Sequence, residues 1–165
     1  MKRSIAAKTN AMRELDRAAI PYSVHTYDST GETFSSGVES AAHLHVEVDK
    51  VYKTLVTQGN SGTLHVFVIP AAAELDLKKA ARAVGEKNAE LIPMKDLLRH
   101  TGYVRGGCSP LGMKKHYGTV IAGQAAQLET FLVSAGKIGV SIEVDPRQLS
   151  TYLDAPFADV IREEA

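Results

Sequence analysis

Much can be excluded from what this chain of 165 residues lacks. It has one cysteine, Cys108, so no internal disulfide can form, and a reducing compartment is expected rather than a disulfide-stapled extracellular scaffold. Tryptophan is absent and aromatic residues make up only 6%. The longest apolar run, Val66 to Ala73, is interrupted by Pro70 and falls far short of the roughly 20 residues that span a bilayer. Lys2 and Arg3 stand near the start, but Lys8, Arg13, Glu14, Asp16 and Arg17 break any apolar stretch, so neither a signal peptide nor an anchor is read. Charge of one sign is lacking too. Nineteen basic and nineteen acidic residues cancel, so contact with nucleic acid or an anionic membrane must come from a local patch. No P-loop or dinucleotide fingerprint occurs. The expectation is a soluble, cytoplasmic protein with no membrane or DNA partner, folded as one domain over residues 1–165.

The pattern of elements predicts a class. Ile5, Met12, Leu15 and Ala19 fall at helical spacing, with Pro21 closing the helix. Tyr22 to Tyr27 reads as a strand, Asp28 to Gly37 as a polar loop, and Val38 to Leu44 as a short helix. Val51 to Thr57 and Leu64 to Ile69 flank a turn-forming cluster and predict a hairpin. Asp76 caps a helix over Leu77 to Val84 that Gly85 stops, and Pro93 opens another ending near Gly102. Strands follow around Tyr117 to Ala122, Thr130 to Ser134 and Val140 to Val144, and a last helix starts at Asp145-Pro146. Strands not regularly alternated with helices predict an α+β fold with a mixed, largely antiparallel sheet.

Two places carry chemistry. Between Thr101 and Lys115, four glycines and one proline fall within eleven residues, and Lys114-Lys115 follow. Such a loop either simply connects elements or aims several N–H groups at one oxygen of a phosphate or oxyanion. In the strand Val51 to Thr57, alternation puts Val51, Lys53 and Leu55 on one face and Tyr52, Thr54 and Val56 on the other. A lysine between apolar neighbours either snorkels to an edge or lines a pocket as a cation.

Together these features resemble the YbaK family of bacterial aminoacyl-tRNA deacylases. Further matches lie at His25-Thr26-Tyr27, Leu75-Asp76-Leu77-Lys78-Lys79, Ser134-Ala135-Gly136-Lys137 and Asp154-Ala155-Pro156-Phe157-Ala158-Asp159, in order from about residue 10 onward. The Gly-Gly-x-Ser-Pro-x-Gly form followed by Lys-Lys is most similar to the Cys-tRNA(Pro) deacylases. The resemblance implies a barrel-like sheet surrounded by short helices, no metal or organic cofactor, and hydrolysis in trans of the ester joining cysteine to tRNA(Pro). A binding pocket separates cysteine from proline poorly, which is why a second hydrolytic site is needed.

The same resemblance assigns roles. Lys53 is the catalytic cation, with Gly106 and Gly107 supplying backbone donors. Cys108, Ser109 and Pro110 complete a substrate loop, and Tyr27, Thr54, Ser134 and Ser141 are carried over as substrate-binding positions. Attack of the substrate's own thiol on its ester is implied, so no Ser–His or Cys–His pair is required. Cys108 is chemically plausible as a nucleophile, but no adjacent base accompanies it. The family pattern often has an aspartate where this chain has Ser141, just ahead of Ile142-Glu143, and that places amino-acid preference in question. Phe34 is a candidate pocket cover. Lys78, Lys79, Arg82, Lys114 and Lys115 are candidate RNA contacts, against the plain reading of solvated charge. His43 and His45 are two apart, the wrong spacing for one helical face, and form no metal set. Without an appended tRNA-reading domain, prolyl-tRNA synthetase is an expected partner. The alternatives are a deacylase for another small amino acid such as alanine, a silent tRNA- or synthetase-binding module, and a redox protein using Cys108.

Overall fold

The computed structural model describes residues 8–26 and 48–163. Helix α1 (Asn10–Arg17) is capped by Thr9, whose hydroxyl accepts from Met12 N, and it buries Met12 and Leu15. Strand β1 (Tyr22–Thr26) follows. After a short 3₁₀ turn (Val48–Lys50) come β2 (Tyr52–Gly59) and β3 (Leu64–Pro70), paired antiparallel as the expected hairpin. Asp76 caps α2 (Leu77–Ala83) by accepting from the N–H of Lys78 and Lys79. A three-residue β4 (Ala89–Leu91) leads to α3 (Met94–Thr101), which ends at Gly102 in the left-handed conformation, φ +87°. Then come β5 (Gly118–Ala122), a 3₁₀ turn (Gly123–Gln127), β6 (Phe131–Lys137), β7 (Val140–Val144), α4 (Pro146–Leu153) and β8 (Phe157–Ala158). The helix expected at Val38 to Leu44 and the loop Asp28 to Gly37 lie outside the described residues.

The strands form two sheets, in the order β1-β7-β6 and β4-β2-β3-β5-β8. The first is antiparallel throughout. In the second, β3–β5 and β5–β8 run parallel, so the mixed α+β class expected from the sequence is what the chain adopts. A parallel bridge between Val51, just ahead of β2, and Leu132 on β6 joins the two sheets, and no pairing among the described residues closes them into a barrel. The apolar run Val66-Phe67-Val68-Ile69 is β3 and has no solvent exposure at all. Flanked by β2 and β5 and covered on both faces, it is the continuous hydrophobic strand that a central position requires. Burial of each such side chain stabilises the fold by about 1.5–3 kcal/mol.

Two carboxylates pin the periphery. Glu86, beyond α2, accepts from Ser61 Oγ (2.6 Å), Ser61 N (3.0 Å) and His65 Nε2 (2.9 Å), tying the hairpin turn to the segment before β4. Glu143 on β7 meets Thr130 Oγ1, His25 Nε2 (2.8 Å) and Lys50 Nζ (3.1 Å). Those partners hold each carboxyl near pKa 2 rather than its ordinary 4.5, led by the Ser61 hydroxyl for Glu86 and the Thr130 hydroxyl for Glu143. A depressed carboxylate pKa means stability that is complete above about 4.5 and lost as pH falls toward 2. Tm is therefore expected to drop steadily between pH 5 and pH 3, with a shallower slope in Glu86→Gln. An identical slope in that variant would dismiss the assignment.

Candidate active site

The pleat of β2 separates its two faces as the alternation predicts. Tyr52, Thr54 and Val56 are buried, and Tyr52 packs edge-on against the Phe131 ring at 4.9 Å. Lys53 and Leu55 on the other face are partly buried. Lys53 forms no hydrogen bond or ion pair with a described residue. Burial lowers its ammonium pKa from the ordinary 10.5; Glu74 nearby pulls it upward and Arg105 pushes it down again. A partly desolvated cation without a bonded carboxylate is costly to keep, and it is what an anionic ligand or transition state would find attractive.

Arg105 belongs to the glycine-rich loop, which therefore approaches Lys53. The loop is built around Tyr103. Its hydroxyl donates to the Leu111 carbonyl, and its ring fills the space that side chains at Gly112 and Gly136 would need. Gly106, at φ +88°, lets the chain turn so that Gly107 N donates to Val104 O at 2.9 Å, and the donor expected at Gly107 is therefore engaged within the loop itself. Gly107 lies so close to the β6–β7 connection that a Cβ there would stand 3.1 Å from Ile138 N. Beyond it Cys108, Ser109, Pro110 and Leu111 are buried, and Ser109 Oγ accepts from Leu111 N at 3.2 Å. Among the described residues no group accepts from the N–H of Cys108 or Ser109. Two backbone donors held in a rigid loop are what an oxyanion requires.

Register places the remaining polar candidates beside these two. Ser134 on β6 pairs with Ser141 on β7, which pairs with His25 on β1. Ser134 also stands two residues along β6 from Leu132, as Lys53 stands two along β2 from Val51, and Val51 and Leu132 are bridged in parallel. His25, Ser141 and Ser134 thus follow one another across three neighbouring strands about 4.8 Å apart, and the Val51–Leu132 bridge brings the start of β2 alongside β6. Ser134 Oγ accepts from Gly136 N at 3.0 Å, linking this row to the glycine that Tyr103 packs against.

Other expected residues fall elsewhere. Tyr27, Phe34, His43 and His45 lie outside the described residues. Thr54 faces away from Lys53, and its buried Oγ1 has no hydrogen-bond partner among the described residues. Lys78 and Arg82 are exposed on α2, whereas Lys79 is engaged by Asp159 (3.1 Å) and the Ile161 carbonyl (3.0 Å). Lys114 donates to the Arg99 carbonyl at 3.2 Å, and Lys115 is exposed. Sequence reasoning assigned no role to Tyr103 or to the Glu143 cluster. His25-Thr26-Tyr27 was the one local signal for the latter.

Burial pushes the Cys108 thiol up to about 12, which removes the thiolate that a nucleophile or redox sensor needs. Cys108→Ser is therefore expected to keep activity within about threefold of wild type, since a thiol held protonated supplies no nucleophile. Loss of activity in steady-state assays of that variant would restore Cys108 as a participant.

Comparison with known proteins decides the class. The model of the aminoacyl-tRNA editing domain matches residues 32–152, a span containing Lys53, the glycine-rich loop, Ser134 and Ser141. The chain belongs to the aminoacyl-tRNA editing domain family. Family membership makes it an aminoacyl-tRNA deacylase, the hydrolase class expected from its motifs. A protein of Enterococcus faecalis, EbsC, described as a candidate Cys-tRNA(Pro)/Cys-tRNA(Cys) deacylase, is 42% identical over 163 residues, covering 99% of each chain. An uncharacterised Bacillus subtilis protein, YwhH, is 27% identical over 122 residues, 73% of this chain and 77% of its own. Among solved structures, a candidate trans-editing enzyme for prolyl tRNA synthetase superposes with a TM-score of 0.79 at 22% identity. That match covers 93% of each chain and shows the shared fold. No helix among the described residues is long and apolar enough to cross a membrane.

Proposed function

We propose that this editing domain removes cysteine from mischarged tRNA(Pro), acting in trans after prolyl-tRNA synthetase has released its product. The observation that carries the reading is a partly desolvated Lys53 that has no bonded partner among the described residues and feels the charge of Arg105 in the glycine-rich loop, with no activated nucleophile among the described side chains. The 42% identity to EbsC over nearly the full chain supports cysteine as the amino acid.

A site of this composition suits a substrate that supplies its own nucleophile. The cysteine sulfur attacks its own ester carbonyl carbon, and the N–H groups of Cys108 and Ser109 hold the oxygen as it gains charge. The bond to the ribose oxygen then breaks, that oxygen takes up a proton, and the resulting cyclic thioester is opened by water to free cysteine. A free thiol has a pKa near 8.5, so the ammonium of Lys53 favours the attacking thiolate. Ser134 and Ser141 offer hydroxyls to the amino-acid moiety from the adjoining strands. Ser141 carries no charge where the family pattern often has an aspartate, which makes this position the first to examine for amino-acid preference. Tyr27 remains a proposed contact by family likeness, whereas Thr54, buried on the other face of β2, is not proposed as one.

In the test, tRNA(Pro) charged with cysteine is incubated with the purified protein beside correctly charged Pro-tRNA(Pro). Release of cysteine well above the buffer rate, with the prolyl ester spared, is the expected result. Equal loss of both esters, or of neither, rejects the reading.

A further inference from the structure

The formal charge of this chain is zero, but its charges are unevenly placed. Between residues 94 and 117 lie Lys95, Arg99, Arg105, Lys114 and Lys115 against a single acid, Asp96. Residues 140–165 hold six acids against Arg147 and Arg162. The basic stretch is α3 together with the loop that follows it, and the fold gathers them on one side: Lys114 Nζ and Lys114 N donate to the Arg99 and Thr101 carbonyls at the end of α3. Lys95 and Lys115 are exposed and make no ion pair with a described residue.

Behind the substrate loop, on this side, lies a cavity of about 130 Å³ lined by Pro110, Gly112, Lys115, His116 and Tyr117, with Glu14 opposite. It is far roomier than the ~10–15 Å³ that admits one water. Glu14, its one carboxylate, accepts from Tyr152 Oη at 3.2 Å. Pro110 lines this cavity and also belongs to the glycine-rich loop, directly after Cys108 and Ser109.

A larger groove of about 770 Å³ lies elsewhere, lined by Glu74, Lys79, Asp159 and Arg162, but its cations are already matched. Lys79 pairs with Asp159 at 3.1 Å and lies 3.9 Å from Glu163, and Arg162 pairs with Glu74 at 2.7 Å. A polyanion entering there would meet carboxylates as often as ammonium groups.

We infer that the acceptor strand of the RNA lies along α3 and the Lys114–His116 segment, with a backbone phosphate at the cavity behind the substrate loop, and does not follow α2. The inference rests on the deacylase reading and adds the direction from which the substrate arrives. Contacts of this kind fix position rather than read sequence, and each phosphate neutralised adds about 0.7–0.9 to the salt slope of binding.

The experiment uses uncharged tRNA(Pro), so that binding is measured without hydrolysis. The dissociation constant is followed from about 50 to 200 mM KCl, the range over which such contacts weaken binding strongly. In the Lys95→Ala/Lys115→Ala variant the slope is expected to flatten by about 1.5 and affinity at low salt to fall about tenfold. On charged tRNA the same variant should raise KM with kcat held within about twofold. If wild type fails to hydrolyse Cys-tRNA(Pro) yet shows this slope change, the RNA surface stands and the deacylase reading falls. An unchanged slope, or a loss that appears in Lys78→Ala/Arg82→Ala instead, overturns the inference.

Discussion

Lys53→Ala is expected to reduce kcat/KM for Cys-tRNA(Pro) by about 10²–10³-fold, the scale on which removal of one group that stabilises transition-state charge is felt. Stability should not fall with it. Burial lowers the Lys53 pKa, so the folded state disfavours the charged form and the cation opposes folding at neutral pH. The sign follows from the direction of that shift: a lysine whose pKa is lowered on folding costs stability wherever it is charged in the unfolded chain, and the cost fades as pH rises toward 10.5. Lys53→Met keeps the aliphatic stem without the charge, and should melt no lower than wild type while being equally inactive. A residue that merely snorkels would behave differently, leaving activity intact. Parallel thermal melts and single-turnover assays on the two variants separate these cases.

Gly112→Ala is expected to be the most damaging change within the loop. Gly112 sits at φ +74°, a conformation that an L side chain rarely adopts. A Cβ there would also lie 2.6 Å from Tyr103 Oη and 3.0 Å from the backbone N of Ala11 in α1. Backbone strain and overpacking together should cost about 2 kcal/mol. For a chain of this size that is a fall in Tm of about 4–8 °C. Because Tyr103 braces the loop through the Leu111 carbonyl, displacing it should also lower kcat/KM about tenfold or more. Removing the clashing hydroxyl in Gly112→Ala/Tyr103→Phe should recover part of the stability, since the two positions touch and their effects do not add. A Tm for Gly112→Ala within a degree of wild type would show that the loop is not held as described.

The sequence made most of the fold legible because its signals were local. Asp76 before α2, Pro93 before α3, and Gly102 after it act within one turn of the residues they cap or stop. The hairpin carried its own turn cluster between β2 and β3. Strands β4 and β8 escaped notice because three and two residues are too few for alternation to show. In the site, Lys53 was visible because one charge breaks an apolar alternation, and the loop because glycines cluster. The brace formed by Tyr103 was not, since it depends on Gly112 and Gly136 being empty where the ring lies. The Glu143 cluster joins residues 25, 50, 130 and 143 from four separate segments, which only the tertiary fold brings together. Lys79 shows the reverse case. The sequence presents it as a free surface charge, whereas the C-terminal segment folds back and occupies it through Asp159 and the Ile161 carbonyl.

The central claim is that this chain supplies a cation and backbone donors while the substrate supplies the nucleophile. It is tested most directly by comparing single-turnover hydrolysis of Cys-tRNA(Pro) and Ala-tRNA(Pro), identical but for the thiol. The account predicts rapid loss of the cysteinyl ester and an alanyl ester that decays little faster than in buffer. Equal or faster loss of alanine would contradict thiol assistance, and would direct attention to Ser141 as the residue that sets the preference.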